Sequence, residues 1–521
     1  MSARQLIIAL DAGTSMMKAV ALDIAGDPVA IESRRNQYRE APGGVAEQDM
    51  ARTWDEAAAT IAAVVEKLDD AEVVGLAVTG QGDGTWLIDE AGEPVGPALL
   101  WLDGRAGPII ERIRESDAGR VIFRESGTGP AACQQSGQLL WLAENRPEQI
   151  ARAATAMHCK DWLYFNLTGE RATDPSEGSF TFGSWRKRGY SDVTIDALGL
   201  AKYRHMLPPV TDGTRVHHAL SRAAARRLGL TPGLPVVLGY VDVVCSALGA
   251  GIYGTGEDCG TSIIGSTGMN IRLADDDFDR PQDAPLSGYR MVFPVPGKTA
   301  LLQSSLAATL NIDWLVGIAD QAVRMAGHSS DHASMLRVLD AAVLAATPAQ
   351  AMYHPYISAA GERGPFTDAR ARASLAGFDR SLDLPGMMRA IYEGLALGAA
   401  DCYAAMGGAP SVISITGGAS RSDTMRRIFA AVVNRKVRII KEHGSGALGA
   451  AMIAAVSLGI MPDMAHCAKS WVVPLLGETE TPDPVLAATY APLVPVYQDA
   501  RGAMPGFWHE FGRFQEARHG H

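Results

Sequence analysis

Short apolar runs alternate with amphipathic stretches along most of the chain. The segment LIIALDAGTSMMKAVALD (6–23) sets two apolar runs on either side of a small-residue turn, and Asp11 closes the first run. Runs of this length around Gly13, Thr14 and Ser15 predict two strands joined by a turn. DMARTWDEAAATIAAVVEKL (49–68) carries apolar residues at Trp54, Ala58, Ile61, Val65 and Leu68, which predicts a helix. VVGLAV (73–78) reads as a buried strand, TWLID (85–89) as its hairpin partner across TGQGDG, and PALLWLD as a further strand ending on Asp103. LPVVLGY (234–240) is another strand, with Asp242 at the start of the helix that follows. A long helix is striped at Leu384, Met388, Ile391, Leu395 and Cys402, and SVISITGG (411–418) is a strand running into a glycine pair. Elements interleaved in this way predict α/β lobes.

One echo runs through the pattern. CGTSIIGSTGMNIRL (259–273) repeats the layout of the first hairpin, with a Gly/Ser/Thr turn between two short apolar segments. Two similar lobes, each offering one such turn to a shared cleft, account for the repeat. With 521 residues the chain exceeds one ordinary domain. No Pro/Ser-rich linker divides it, so a hinge rather than a tether is expected.

The net charge is −11 and no basic stripe is present, which argues against a nucleic-acid surface. The six cysteines are scattered without a CxxC pair, against a disulfide framework or zinc site and in favour of reduced thiols. The longest apolar stretch, ALGAAMIAAVSLGIM (447–461), falls short of the roughly 20 residues that span a bilayer. Its alanine and glycine content predicts a tightly packed buried helix. No secretory leader is legible at the N-terminus, so a soluble, cytoplasmic protein without a membrane partner is expected.

Small-residue turns between strands expose backbone N–H groups that bind anions, phosphate above all. The hydroxyls of Thr14 and Ser15 add donors, and Lys18 adds a charge. Asp11 would repel a bare phosphate but becomes useful with Mg²⁺ between them, because that ion takes carboxylate, phosphate and water oxygens. On this turn alone, an ordinary Gly-rich hairpin capped by Asp11 is the favoured reading. GSTG (265–268) is a second such turn, and Gly417-Gly418 lies between a strand and a helix, where phosphate can approach. Asp242, at a strand's end, suits a general base or simply caps its helix.

Taken in order, these motifs resemble the FGGY family of carbohydrate kinases. The matching stretches are LDAGTSMMKAV, VTGQGDGTWLIDEAGEPVGPALLWLDGRA, KDWLYFNLTGERATDPSEGS, LGYVDVVCSALGAG, IIGSTG, YHPYISAAGERGPFTDARARASLAGF and TGGASRSDTMRRIFAAVVNRKV. The resemblance implies two actin-like, ribonuclease H-like lobes around a nucleotide cleft. The first lobe would span 1–245 and the second 246–460, with an extension at 461–521 packing on the first lobe. It further implies ATP with Mg²⁺. Gly13, Thr14 and Ser15 would face the γ-phosphate and Gly265, Ser266 and Thr267 the β-phosphate, with Lys18 and Gly268 also in the nucleotide site. Gly417 and Gly418 would take the adenosine end, and Ser422 stands where the family often has Asn near the adenine. Asp11 and Asp242 would attend the metal, with Asp242 also the catalytic base. Family members are often homodimers.

Gln81, Gly82 and Asp83 in the TGQGDG loop are the candidate acceptor contacts, with Trp101 and Trp86 as walls. Asp103 either joins them or pairs with Arg105 to support the loop. The loop has Gly82-Asp83 where xylulose kinases usually show Met-His, and it resembles kinases of short polyols. A terminal hydroxyl of a four- or five-carbon polyol is therefore the expected acceptor, erythritol first, with a xylulose or ribulose kinase as the alternative. Two other classes fit parts of the sequence. GAGIYG (249–254) fits the GxGxxG of NAD-dependent oxidoreductases, but a helix rather than a strand is expected before it. A non-catalytic ATP-binding protein would not need Asp11, Asp242 and three glycine turns together.

Overall fold

A computed structural model describes residues 4–281, 283–441 and 444–519. Its first sheet has six strands in the order His218–Ala219, Pro235–Leu238, Glu72–Gly80, Gln5–Ala12, Met16–Asp23 and Pro28–Arg35. The second has seven: Tyr289–Val292, Lys298–Ser305, Gly268–Asp275, Cys259–Ile264, Val412–Thr416, Lys436–Ile440 and Leu476–Glu480. Each sheet is built on the same plan. A central hairpin pairs antiparallel with a third strand on one side and parallel with later strands on the other. The echo between residues 6–23 and 259–273 is thus the central hairpin of each lobe.

Alternation along the first strand divides two cores. Leu6, Ile8 and Leu10 face one, Ile7 and Ala9 the other. The first face is covered by helix Met50–Val65, whose N-terminus is capped by Asp49 accepting from the Arg52 N–H. The second face is covered by helix Ser445–Ser457, which is buried on nearly every side. That helix falls within the span expected for the second lobe (246–460) yet lies on the sheet of the first, so those bounds do not separate two independent bodies. It crosses helix Asp242–Gly249 at glycines. A Cβ on Gly449 would sit 1.9 Å from the Cys245 carbonyl oxygen, and one on Gly249 would sit 2.1 Å from that of Ser445.

Three expectations are corrected. Residues 85–89 do not pair with strand Glu72–Gly80, which has parallel neighbours on both sides and no free edge; Trp86–Ile88 pairs instead with Thr155–Met157. The strand before Asp103 is only Ala98–Leu99. The extension beyond 460 packs mainly on the second lobe. Its first part still reaches the first lobe: Met464, Cys467, Ala468, Trp471 and Val472 join the core that holds Ile7, Ala9 and Val20, and the Trp471 indole lies on Gly26 and donates to the Ile24 carbonyl at 3.1 Å. Strand Leu476–Glu480 then joins the second sheet beside Lys436–Ile440. The buried Tyr490 and Tyr497 belong to the same apolar core as helix Leu384–Ala405. Trp508 packs with Tyr356 and Phe366. All six cysteines are unpaired and buried. Among the described residues no helix is long and apolar enough to cross a membrane.

Candidate active site

Parallel strands deliver their C-terminal ends to one edge, the usual place for a ligand crevice in open α/β sheets. In the first lobe that edge carries Asp11, the Gly82-Asp83 loop and Asp242; in the second it carries the Gly265 and Gly417 turns. A cleft of about 220 Å³ joins the lobes, lined by Thr14, Gly82, Asp83, Trp101 and Asp242 from one side and by Thr267, Gly268, Tyr289 and Arg363 from the other.

The turns are built for close backbone approach. Gly13 donates its N–H to the Met16 carbonyl at 3.0 Å and Gly265 donates to Thr267 at 3.1 Å, closing each turn. The amides of Thr14, Ser15, Ser266 and Thr267 are left without a protein acceptor among the described residues. Asn36, missed in the sequence, braces the first turn by donating its side-chain amide to the Gly13 carbonyl at 2.9 Å. Gly417 has φ +90°, and a Cβ there would fall 2.6 Å from the Ile264 carbonyl oxygen and 3.1 Å from the Gly265 nitrogen. The two glycine turns of the second lobe therefore lie directly against each other.

Asp11 sits opposite Lys18 across the hairpin. Burial pushes its carboxyl up to about 6, with Lys18 opposing the rise. Burial, and then repulsion from Asp11, pushes Asp242 up to about 7. Asp242 begins helix Asp242–Gly249 and accepts from the Val243 N–H at 2.7 Å. A Cβ on Gly446 would lie 2.3 Å from Asp11 Oδ2, so the first turn of helix Ser445–Ser457 is held against this carboxylate. Lys18 is also beside Gly444, where a Cβ would be 3.6 Å from its ammonium. The sequence reading singled out neither glycine.

Several assigned side chains have other employment. Thr14 Oγ1 donates to Gln81 Oε1 at 2.8 Å and accepts from Trp101 Nε1 at 2.8 Å. It is a brace, not a free phosphate donor. Gln81 is buried and also donates to Gln48 at 2.9 Å, so it shapes the loop from behind. Trp101 does line the cleft, whereas Trp86 is fully buried in the core. Asp103 is no acceptor contact. Its fully buried carboxylate accepts from the Ala46 N–H at 2.9 Å and pairs with Arg105 at 2.7 Å, in a network that includes Glu47 and Arg146. Ser422 caps helix Asp423–Val433, accepting from Met425 N–H at 3.0 Å and donating to Asp340 at 2.6 Å.

Behind the acceptor loop lies a buried charge cluster. Lys160 bridges Asp161 and Asp174, each at 2.7 Å, and Glu177 lies under Gly82 with neither oxygen hydrogen-bonded among the described residues. A Cβ on Gly82 would meet Val241 Cγ2 at 2.3 Å and Glu177 Oε1 at 3.2 Å. Asp83 follows with φ +55°, a left-handed conformation that few residues other than glycine adopt. GAGIYG is not a dinucleotide turn, because its first glycine ends a helix rather than following a strand.

Residues 6–249 match the N-terminal domain, and residues 260–458 the C-terminal domain, of the FGGY family of carbohydrate kinases. An erythritol kinase of Brucella abortus is 43% identical over 508 residues, covering 96% of this chain and 97% of that protein. A xylulose kinase of Bacillus subtilis is 25% identical, covering 89% and 91%. Among solved structures, a gluconate kinase from Lactobacillus acidophilus superposes with a TM-score of 0.88 at 23% identity, covering 98% of this chain and all of that one. A glycerol kinase from Plasmodium falciparum with ADP gives 0.77 at 16% identity, covering 94% and 96%. With both halves matched in order around one shared cleft, the chain belongs to the FGGY family of carbohydrate kinases.

Proposed function

We propose that the protein transfers the terminal phosphoryl group of ATP to a terminal hydroxyl of a short polyol, with erythritol as the preferred acceptor. The observation that carries this reading is the single cleft in which Asp242, Asp83 and the glycine-turn residues of both lobes meet. The likeness to the Brucella abortus erythritol kinase favours a four-carbon polyol over a pentulose.

The phosphate chain of ATP is held by the amides of Thr14 and Ser15 from one lobe and of Ser266 and Thr267 from the other. The Gly417-Gly418 backbone takes the adenosine end. Phosphoryl transfer has a loose transition state, so positioning and charge neutralisation supply most of the rate. Asp242 accepts the proton of the attacking hydroxyl. At about 7 its carboxyl is a better base than an ordinary aspartate at 3.8, and it still ionises near neutral pH.

The residues also fit Mg²⁺. Burial raises the cost of ionising both carboxylates, and the charge of Asp11 adds to the cost at Asp242, which a divalent cation would relieve. Among the described residues no cluster of three or more side-chain ligands exists, in keeping with an ion held by one or two carboxylates, phosphate oxygens and water. Held by Asp11 and Asp242, such an ion would supply positive charge to neutralise the phosphate oxygens. Closing the lobes over Trp101 excludes water, which otherwise competes as acceptor.

The test is a coupled ADP-release screen over erythritol, glycerol, arabitol, ribitol, xylulose and ribulose. The reading requires the highest kcat/KM with erythritol. A pentulose in first place would overturn the acceptor, and acceptor-independent ADP release the kinase.

A further inference from the structure

Two charged groups face the acceptor end of the cleft from opposite lobes, and each keeps hydrogen-bonding capacity unused by the protein: Asp83 is met by Cys133 and Tyr289 but has one oxygen free, and Arg363 has no paired carboxylate among the described residues. Asp83 is about nine-tenths buried and its Oδ1 has no hydrogen-bond partner among the described residues. Arg363 comes from the second lobe, two residues after Gly361, and lines the same cleft. Its guanidinium makes no hydrogen bond or ion pair among the described residues. The carboxylate of Asp83 is among the groups that favour its charge. Tyr289, also from the second lobe, brings its hydroxyl to 3.3 Å from the Cys133 thiol, beside Asp83.

Buried charges in folded proteins are paired or hydrogen-bonded, because leaving them bare is costly. Asp83 as a carboxylate only accepts and Arg363 only donates. A ligand that satisfies both must accept and donate at neighbouring positions while remaining neutral. A hydroxyl does both at one atom, and vicinal hydroxyls do so in either order. An anion satisfies Arg363 but is repelled by Asp83, and an amine does the reverse. An aliphatic chain satisfies neither.

We propose that Arg363 and Asp83 together form the specificity site for the acceptor's non-reacting hydroxyls, which donate to Asp83 and accept from Arg363. The inference rests on the polyol-kinase reading and adds a residue from the nucleotide-binding lobe to acceptor recognition. It carries a consequence for closure. The acceptor ties the lobes together at one end of the cleft while ATP ties them at the other, so a polyol that engages both groups favours the arrangement in which Asp242 and the phosphate turns meet.

The test compares substrates and variants in one cycle. Erythritol is measured against butane-1,4-diol, which lacks the inner hydroxyls, and 1,2,3-butanetriol, which lacks a terminal one. In the unaltered protein, kcat/KM for at least one analogue is expected to fall on the order of 100-fold or more, because a charged group is left unpaired. In Arg363→Met, kcat/KM for erythritol falls by a similar factor, the penalty for that analogue shrinks to roughly tenfold or less, and ATP binding stays within about threefold. Arg363→Lys restores part of the preference, and thermal melts establish that each variant is folded. An erythritol-to-analogue ratio that Arg363→Met leaves unchanged overturns the inference. So does unaltered protein that uses both analogues as well as erythritol. If Arg363→Met does not fold, Arg363→Lys and the analogue comparison decide. Absence of phosphoryl transfer to every acceptor refutes the polyol-kinase reading itself and the inference with it.

Discussion

Replacing Gly449 by alanine probes the close crossing between the helix that begins at Asp242 and the helix held against Asp11. The new Cβ would lie 1.9 Å from the Cys245 carbonyl oxygen and 2.6 Å from its carbon, both main-chain atoms that cannot rotate away. Restoring a contact of about 3.5 Å requires helices Asp242–Gly249 and Ser445–Ser457 to part by about 1.5 Å. Overpacking of this kind costs about 1–3 kcal/mol, offset by up to about 1 kcal/mol from alanine's better helix propensity. The functional cost is larger. One helix starts at Asp242 and the other holds Gly446 against Asp11, and a misplacement of about 1 Å at reacting groups lowers rate on the order of 100-fold. Denaturant melts and steady-state kinetics with erythritol measure the two effects. Gly502→Ala is the control, since nothing lies within 4 Å of a Cβ there, and it should stabilise helix Leu493–His519 by up to about 1 kcal/mol. Full activity with undiminished stability in Gly449→Ala would falsify the tight-crossing argument.

Two further predictions separate structural from catalytic carboxylates. Asp103→Asn breaks a buried pair with Arg105 and should lower stability by about 3–5 kcal/mol, while KM for the acceptor in the folded fraction stays within about twofold; a selective rise in KM would return Asp103 to the acceptor site. Glu362 has its carboxyl pushed from 4.5 to about 7 by burial, against hydrogen bonds from the Arg363 and Leu306 amides. Because the folded-state value is the higher one, its contribution is fully present below about 4.5 and is lost as pH rises through about 7. Between pH 5 and 8 the stability difference should therefore move in favour of Glu362→Gln, by up to about 3 kcal/mol; a gap constant with pH contradicts this.

What was legible in the sequence was whatever is local. The hairpin around Gly13, the strand before Asp242 and the glycine pair at Gly417 each announce themselves within about ten residues, and ordered motifs then indicate a two-lobed kinase. Long-range pairing was not legible. Residues 85–89 look like a hairpin partner because TGQGDG looks like a turn, yet the edge they would need is taken by strand Pro235–Leu238. Asp103 and Thr14 have the right chemistry for ligands, and only their buried partners reveal that this chemistry is already used. Arg363 and Gly446 were overlooked for the opposite reason. They lie far along the chain from the residues they meet, and no spacing rule connects Arg363 to Asp83 or Gly446 to Asp11.

The central claim is that an acid near the ends of both lobes' strands takes the proton of a polyol hydroxyl while ATP is gripped elsewhere. Asp242→Asn isolates it, because the amide keeps the shape and cannot accept the proton. Erythritol-dependent ADP release and ATP binding are measured on the same preparation. The account predicts turnover lower by about 100-fold to 10,000-fold with ATP affinity within a few-fold. Turnover near that of the unaltered protein contradicts it.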